Sequence, residues 1–151
     1  MKLTDILPES CVKAPLAATD KLAAITELVD VLASADQLIN RDEVLQAVLD
    51  RESTRSTGIG NGLAVPHGKC AGCNRLVMAI GRPASPIEFG SIDGKPVELV
   101  VLLASPPDQT GPHIQALARI SRLMLMDDFR SSVLAAPSAS EIYAIIAQHE
   151  L

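Results

Sequence analysis

The segment from Leu99 to Ala104 is an unbroken run of six apolar residues. A strand with one face in water would carry a polar residue at every second position, so this run predicts a strand that is buried on both faces. Six residues are also far fewer than the roughly 20 that a membrane-spanning helix needs. We therefore expect a soluble chain in which Val97 to Ala104 forms a central strand of a sheet covered on both sides.

Helical periodicity flanks this strand on both sides in the sequence. Apolar residues recur at helical spacing in segments that are predicted to begin at the N-caps Thr19 and Asn40 and near Pro112, and to cover Phe129 to Leu134 and Ser140 to Gln148. Further strands are predicted at Leu63 to Val65 and at Leu76 to Ile80. Helices, then strands, then helices predict an α/β fold with the sheet between two helical layers.

Length, charge and cysteine content limit the classes of function. The chain has 151 residues without a repeat, so we expect one domain over residues 1–151. Its 13 Lys+Arg against 18 Asp+Glu give a net charge of −5, and aromatic residues make up only 2%, which argues against nucleic acid as a partner. The N-terminus lacks the apolar core of a secretory signal, and three cysteines are too few for a disulfide framework. We therefore expect a cytoplasmic protein without a membrane span.

A glycine-rich segment leads to the first histidine of the chain. Gly58, Gly60 and Gly62 stand within five residues, and the short predicted strand that follows them ends just before His67. The second histidine, His113, lies at the predicted start of the third helix. A histidine that is largely neutral near pH 7 can accept a phosphoryl group if nearby groups neutralise the incoming charge. His67 is therefore the candidate nucleophile.

Groups that could neutralise a phosphoryl charge precede His67 closely in the sequence. They are backbone N–H groups of the glycine-rich loop, two hydroxyls and a guanidinium, contributed by Gly58, Gly60, Gly62, Ser56, Thr57 and Arg51. Phosphoryl transfer depends mostly on positioning and electrostatics, so this set would suffice. His113, kept neutral by the positive end of a helix, could donate a hydrogen bond to the phosphate or orient His67.

Other roles for these residues are open on the sequence alone. His67 could be a hydrogen-bonded structural residue, Arg51 a solvated helix-end residue and His113 an exposed one. The C-x-x-C pair Cys70 and Cys73 could complete a zinc site with the two histidines. It has no second C-x-x-C and lies in a predicted turn, so we expect no metal. The spacings of a P-loop and of a dinucleotide fingerprint are not met, so we expect no cofactor.

Two segments carry a resemblance to a known family. Arg51-Glu52, followed by the run Ser-Thr-Gly-Ile-Gly-Asn-Gly-Leu-Ala-Val-Pro-His-Gly-Lys from Ser56 to Lys69, resembles the active-site signature of the fructose/mannitol-type IIA components of the bacterial phosphotransferase system. The segment from Ala104 to Leu117 is similar to the family's second-histidine segment. Within the family, the Ser-Thr-Gly-Ile-Gly-Asn-Gly form is most similar to the nitrogen-regulatory IIA proteins.

The resemblance implies a three-layer α/β/α sandwich around a mixed sheet. It implies that His67 accepts a phosphoryl group from the phosphohistidine of an HPr-type carrier, or NPr in the nitrogen branch, with His113 beside it and Arg51 facing the phosphate. The phosphorylation state would regulate partners such as potassium transporters and sensor kinases, a role we favour because no IIB or IIC segment is fused to the sequence. Such partners need an exposed apolar surface, for which Ile59 and Leu63 are candidates.

Two other functions are compatible with the sequence. One is a IIA subunit of a fructose- or mannitol-type sugar transport system, which passes the phosphoryl group to a IIB partner. The other is a protein-binding module that keeps the fold and is never phosphorylated. Arg55 stands where relatives commonly have a small residue, and Cys70 and Cys73 lie outside the signature, so carrier preference and thiol chemistry are open.

Overall fold

A mixed sheet of six strands forms the centre of the fold in the computed structural model, which describes residues 1–150. Its strands are β1 (Val12–Leu16), β2 (Gly58–Gly60), β3 (Leu63–Ala64), β4 (His67–Lys69), β5 (Val77–Pro83) and β6 (Leu99–Ser105). The helices are α1 (Lys21–Ser34), α2 (Arg41–Thr54), α3 (Thr110–Leu125), α4 (Asp127–Ala135) and α5 (Ala139–His149). The strand order is β1, β5, β6, β3, β2, and β4 also pairs with β6. The pairs β1–β5, β3–β6 and β4–β6 are parallel, and the pairs β2–β3 and β5–β6 are antiparallel.

The predicted central strand is confirmed. All seven residues of β6 are buried, although the strand begins at Leu99 rather than Val97 and ends at Ser105. α1 and α2 pack on each other and on β4, β5 and β6, whereas α3, α4 and α5 pack in series and contact β6 and β1. The sheet therefore lies between two helical layers, and the expected α/β/α sandwich is confirmed. None of the helices in the described part of the chain has both the length and the hydropathy of a membrane span.

The N-terminal caps of α1 and α2 illustrate how closely sequence signals locate a helix. Asn40 caps α2 as predicted, with its side chain accepting a hydrogen bond from the Glu43 backbone N–H at 3.1 Å. The cap of α1 is Asp20 rather than Thr19, because the Asp20 carboxylate accepts from the Ala23 N–H at 2.9 Å. Both residue types are good caps, so the pattern alone was ambiguous by one position.

The glycine-rich segment folds as a β-hairpin. β2 and β3 are antiparallel, and the two residues between them, Asn61 and Gly62, have φ values of 57° and 76°. Positive φ at both turn positions matches a hairpin turn whose twist suits the flanking strands, and Asn-Gly is its strongest sequence signal. The loop predicted to cradle a phosphate is thus partly a hairpin that the Asn-Gly pair could have revealed.

The edge strand β1 had no counterpart among the predicted elements. It pairs in parallel with β5 only, at one margin of the sheet. Lys13 and Pro15 interrupt its apolar pattern, so the sequence pattern does not predict a strand here. Proline lacks a backbone donor but is tolerated in an edge strand, where one side of the strand needs no partner.

Candidate functional site

Strand β4 brings His67 against the end of helix α2. His67 pairs with Leu103 of β6, and the next residue, Gly68, packs against the helix backbone. A Cβ on Gly68 would lie 3.0 Å from the carbonyl carbon of Ala47, so only glycine allows this approach. Arg51 lies one helical turn after Ala47, and its charge acts on the His67 ring, where it lowers the pKa. The close packing at Gly68 therefore brings the end of α2 close enough to His67 for the Arg51 charge to act on it, while the Arg51 guanidinium itself donates to the Arg55 carbonyl at 3.0 Å.

The hydrogen bond of the His67 ring determines which ring nitrogen keeps a free lone pair. Nδ1 lies 2.8 Å from the carbonyl oxygen of Val65. A carbonyl oxygen only accepts, so Nδ1 carries the hydrogen and the lone pair of the neutral ring is on Nε2. Burial lowers the pKa of His67, and the charges of Arg51 and Lys69 lower it further, against opposing effects of the Val65 carbonyl and Glu52. The ring is thus held in a neutral, nucleophilic form.

His113 lies beside His67 and is buried, which overturns its interpretation as an exposed helix-start residue. The two ring centroids are 5.2 Å apart in an edge-to-face arrangement with an interplanar angle of 69°. His113 is only 2% exposed, and burial, followed by the effects of His67 and Lys69, lowers its pKa to about 4. Its Nδ1 lies 2.7 Å from the Ser105 hydroxyl oxygen, whereas Nε2 has no hydrogen-bond partner among residues 1–150. A neutral histidine with one unpartnered nitrogen thus lies next to the candidate nucleophile.

The two hydroxyls before the hairpin already have partners within the protein. The Thr57 hydroxyl donates to Glu52 at 2.7 Å, and the Thr57 backbone N–H donates to the same carboxylate. The Ser56 hydroxyl donates to the Phe89 carbonyl at 2.6 Å and accepts from the Gly58 N–H at 3.1 Å. These groups therefore stabilise the connection between α2 and β2.

The two later glycines of the motif lie away from His67. The Gly62 carbonyl accepts from the backbone N–H of Leu99, whereas His67 pairs with Leu103. Four residues along β6 correspond to about 13 Å at about 3.3 Å per residue. Gly60 pairs with Leu63 at the same end of the hairpin. The structure thus brings His67 and His113 together, with Arg51 near enough for its charge to lower the pKa of His67, but not Gly60 and Gly62.

Two further residues, Lys69 and Glu52, contribute to the site and were not among the sequence candidates. Lys69 donates to the Thr110 hydroxyl at 3.1 Å, and its charge lowers the pKa of both histidines. Its position two residues after His67 on a strand, hence on the same face, is a signal that could have found it. Glu52 is buried and forms an ion pair with Lys21 at 3.1 Å.

The C-x-x-C pair lies in the turn between β4 and β5. Cys73 is buried, and burial together with the neighbouring Cys70 raises the pKa of its thiol to about 12. No group of three or more His, Cys, Asp or Glu side chains within residues 1–150 is arranged to hold a metal ion. The turn predicted from the sequence is present, and the four side chains of the hypothetical zinc site do not converge.

The chain matches a family of known proteins. The family model for the phosphoenolpyruvate-dependent sugar phosphotransferase system, EIIA 2, matches residues 5–149. The chain belongs to this family. The expected resemblance to the fructose/mannitol-type IIA components is therefore confirmed, and the relatives of this EIIA chain include nitrogen regulatory proteins.

Three relatives illustrate the range of similarity. The fructose-specific EIIABC component of Bacillus subtilis (strain 168) is 37% identical over 150 residues, which are 99% of this EIIA chain and 24% of that protein. A nitrogen regulatory protein of Bradyrhizobium diazoefficiens is 35% identical over 97% of this chain and 95% of its own length. The crystal structure of nitrogen regulatory protein IIA-Ntr from Neisseria meningitidis superimposes with a TM-score of 0.87 at 30% identity, covering 95% of this chain and 98% of that one.

Proposed function

We propose that this EIIA chain is a histidine phosphocarrier that accepts a phosphoryl group on Nε2 of His67 from the phosphohistidine of an HPr- or NPr-type protein. The observation that carries the proposal is the hydrogen bond from His67 Nδ1 to the Val65 carbonyl, which leaves Nε2 as the nucleophile. The lowered pKa of His67 supports it, because a neutral ring is needed for attack. Membership of the EIIA 2 family supplies the reaction class.

The transfer exchanges one P–N bond for another. The bond between phosphorus and the donor histidine breaks as a bond forms to Nε2 of His67, and the donor nitrogen keeps the electron pair of the broken bond. The hydrogen stays on Nδ1 and keeps its hydrogen bond to the Val65 carbonyl, whose oxygen stabilises the positive charge that the phosphorylated ring gains. Arg51 and Lys69 offset the phosphoryl charge, and His113 is placed to bind a phosphoryl oxygen through Nε2.

The Ser56 to Gly62 segment has a supporting role in this proposal. Ser56 and Thr57 use their hydroxyls within the protein, and Gly60 and Gly62 lie at the hairpin end, about 13 Å along the sheet from His67. The contacts of Ser56 and Thr57 hold Glu52 and the backbone at Gly58 in place. We therefore propose a positioning role for Ser56 and Thr57 and no phosphate contact for Gly60 and Gly62, while phosphate binding by Gly58 stays a prediction.

We propose that the phosphorylation state of His67 regulates partner proteins in the cell. Nitrogen regulatory proteins align with this chain over nearly their whole length, for example over 95% of the Bradyrhizobium protein. Potassium transporters and sensor kinases are the partners that this branch suggests, and the cytoplasm is the compartment we propose because phosphoenolpyruvate is formed there. A surface for such partners includes Ile59, 42% exposed, and Ile92, 86% exposed, whereas Leu63 is only 1% exposed and is not part of it.

A sugar-transport role is the second candidate. It is favoured by the 37% identity to the fructose-specific EIIABC component of Bacillus subtilis. In that case the phosphoryl group on His67 would pass to a IIB partner. Deleting the gene and measuring uptake of individual sugars separates the two, because loss of transport of one sugar alone would contradict the regulatory role.

The phosphocarrier proposal is tested by intact-mass measurement. The protein is incubated with phosphoenolpyruvate, enzyme I and HPr or NPr, and we expect an acid-labile gain of one phosphate. His67→Ala should abolish the gain, whereas His149→Ala, which alters an exposed ring at the end of α5, should retain it. If the wild-type protein gains no phosphate with either carrier, the chain is a binding module and the proposal is wrong.

A further inference from the structure

Ser105, the last residue of β6, is fully buried and contacts the second histidine of the site. Its hydroxyl oxygen lies 2.7 Å from His113 Nδ1 and has no other hydrogen-bond partner among residues 1–150. The Ser105 backbone is fixed independently, since it pairs with Lys69 of β4 and its carbonyl accepts from the Cys70 N–H at 3.0 Å. The Ser105 hydroxyl is therefore available for a hydrogen bond with His113 alone.

The direction of this hydrogen bond decides which nitrogen of His113 carries the proton. The pKa of His113, lowered to about 4, keeps the ring neutral near pH 7, so the ring has a single N–H. If Nδ1 donates to Ser105, the buried Ser105 hydroxyl has no acceptor and Nε2 is an unpartnered acceptor as well. If Ser105 donates to Nδ1, the Nε2 hydrogen is the only group of this Ser105–His113 pair that lacks a partner. Buried unpaired donors are costly, so the second arrangement, with fewer unpaired groups, is favoured.

The chemistry of a phosphoryl group points to the same arrangement. The oxygens of a phosphoryl group on histidine accept hydrogen bonds and do not donate them. A bare Nε2 lone pair on His113 would repel such an oxygen, whereas an Nε2–H group would form a charge-assisted hydrogen bond with it. The His113 ring lies edge-to-face with His67 at 5.2 Å, close enough for this contact once His67 is phosphorylated.

We propose that Ser105 is a positioning residue of the phosphotransfer site, whose hydroxyl donates to His113 Nδ1 and thereby holds the proton on Nε2, ready to bind the phosphoryl group on His67. Only the binding of the phosphoryl group by His113 rests on the proposed function. The tautomer of His113 is a property of the unphosphorylated protein and can be measured by itself.

The first test is the tautomer of His113 by two-dimensional NMR on protein labelled with 15N-histidine at neutral pH. In the wild-type protein we expect Nε2 of His113 to show the shift of a protonated ring nitrogen and Nδ1 that of an unprotonated, hydrogen-bonded one. Ser105→Ala should remove this preference and Ser105→Thr, which keeps a hydroxyl donor, should restore it. A wild-type ring protonated on Nδ1 overturns the inference without any variant, and an unchanged spectrum in Ser105→Ala overturns it as well.

The second test is a double-mutant cycle on the rate of phosphoryl transfer to His67. We expect Ser105→Ala to slow transfer about tenfold, the effect of weakening one hydrogen bond to the transferring group. In a His113→Ala background, Ser105→Ala should have no further effect, because Ser105 acts through His113. Ser121→Ala on α3 removes a hydroxyl that bonds only to the Leu117 carbonyl and should leave the rate unchanged. Equal slowing by Ser105→Ala with and without His113 would mean a merely structural role and overturn the inference.

The two tests separate this inference from the phosphocarrier proposal. If His67 is phosphorylated but His113 carries its hydrogen on Nδ1, the carrier function stands and the role proposed for Ser105 is refuted. If His113 has the expected tautomer but His67 is not phosphorylated, the carrier function is refuted. The role of the His113 Nε2–H as a hydrogen-bond donor to the phosphoryl group is then refuted with it.

Discussion

The backbone nitrogen of Val48 lies 2.9 Å from the position that a Cβ would occupy on Gly68, so helix α2 and strand β4 touch backbone to backbone. The contact joins the helix that carries Arg51 to the strand that carries His67. Any side chain at Gly68 must push the two elements apart, because it meets two backbone atoms of α2 and the Ala47 Cβ, and none of these can rotate away.

We therefore expect Gly68→Ala to lower the free energy of unfolding by about 1–3 kcal/mol through overpacking, and to slow phosphorylation of His67 because Arg51 moves away. Urea unfolding and the mass assay measure the two effects. Gly111→Ala is the matched control, since a Cβ there meets no atom within 4 Å, and it should change stability by less than about 1 kcal/mol. Equal stability of the two variants would contradict the contact.

Burial of His113 predicts a loss of stability in mild acid. Its pKa is lowered from 6.5 to about 4 in the folded protein, so the unfolded chain binds the proton first as the pH falls. The contribution of His113 to stability is therefore complete above about pH 6.5 and declines toward pH 4, with a loss of about 2 kcal/mol by pH 5. His113→Gln, which cannot titrate, should show a flatter dependence of the free energy of unfolding on pH; the same slope in both proteins would refute burial as the cause.

The charge of Arg51 predicts the direction in which the titration of His67 shifts. Arg51 lowers the pKa of His67, so Arg51→Ala should raise it, as followed by NMR titration of the ring. The same variant should hydrolyse its phosphohistidine several-fold faster, because the phosphoryl charge loses a counter-charge. Arg75→Ala, whose guanidinium contacts Gln37 instead, is the control and should leave both quantities unchanged. An unaltered His67 titration in Arg51→Ala would show that the guanidinium lies away from the ring.

The thiols should differ in reactivity in the folded protein. Burial raises the pKa of Cys11 and, with Cys70 nearby, raises that of Cys73 to about 12, so both stay protonated at pH 8. Cys70 is only half-buried, and we expect iodoacetamide to alkylate it at least tenfold faster than the other two. Peptide mass spectrometry before and after unfolding measures this, and rapid native labelling of Cys73 would contradict its burial.

Local patterns were sufficient for much of the framework. The apolar run of β6, the Asn40 cap of α2 and the helices after Pro112 depend on short-range periodicity and hydrogen bonding, so they could be predicted from neighbouring residues. The edge strand β1 could not, because its stability comes from pairing with β5, a segment distant in the chain.

The amino-acid sequence by itself determined the type of the fold and named His67, His113 and Arg51 as the residues of interest, since their identities and motif spacing are local properties. Only the tertiary structure decided that His113 is buried against His67, that Ser105 is its partner, and that Gly60 and Gly62 lie far along the sheet. The physical reason is that burial, pKa and hydrogen-bond direction depend on which distant segments pack together, and the approach of α2 to Gly68 has no counterpart in any local pattern.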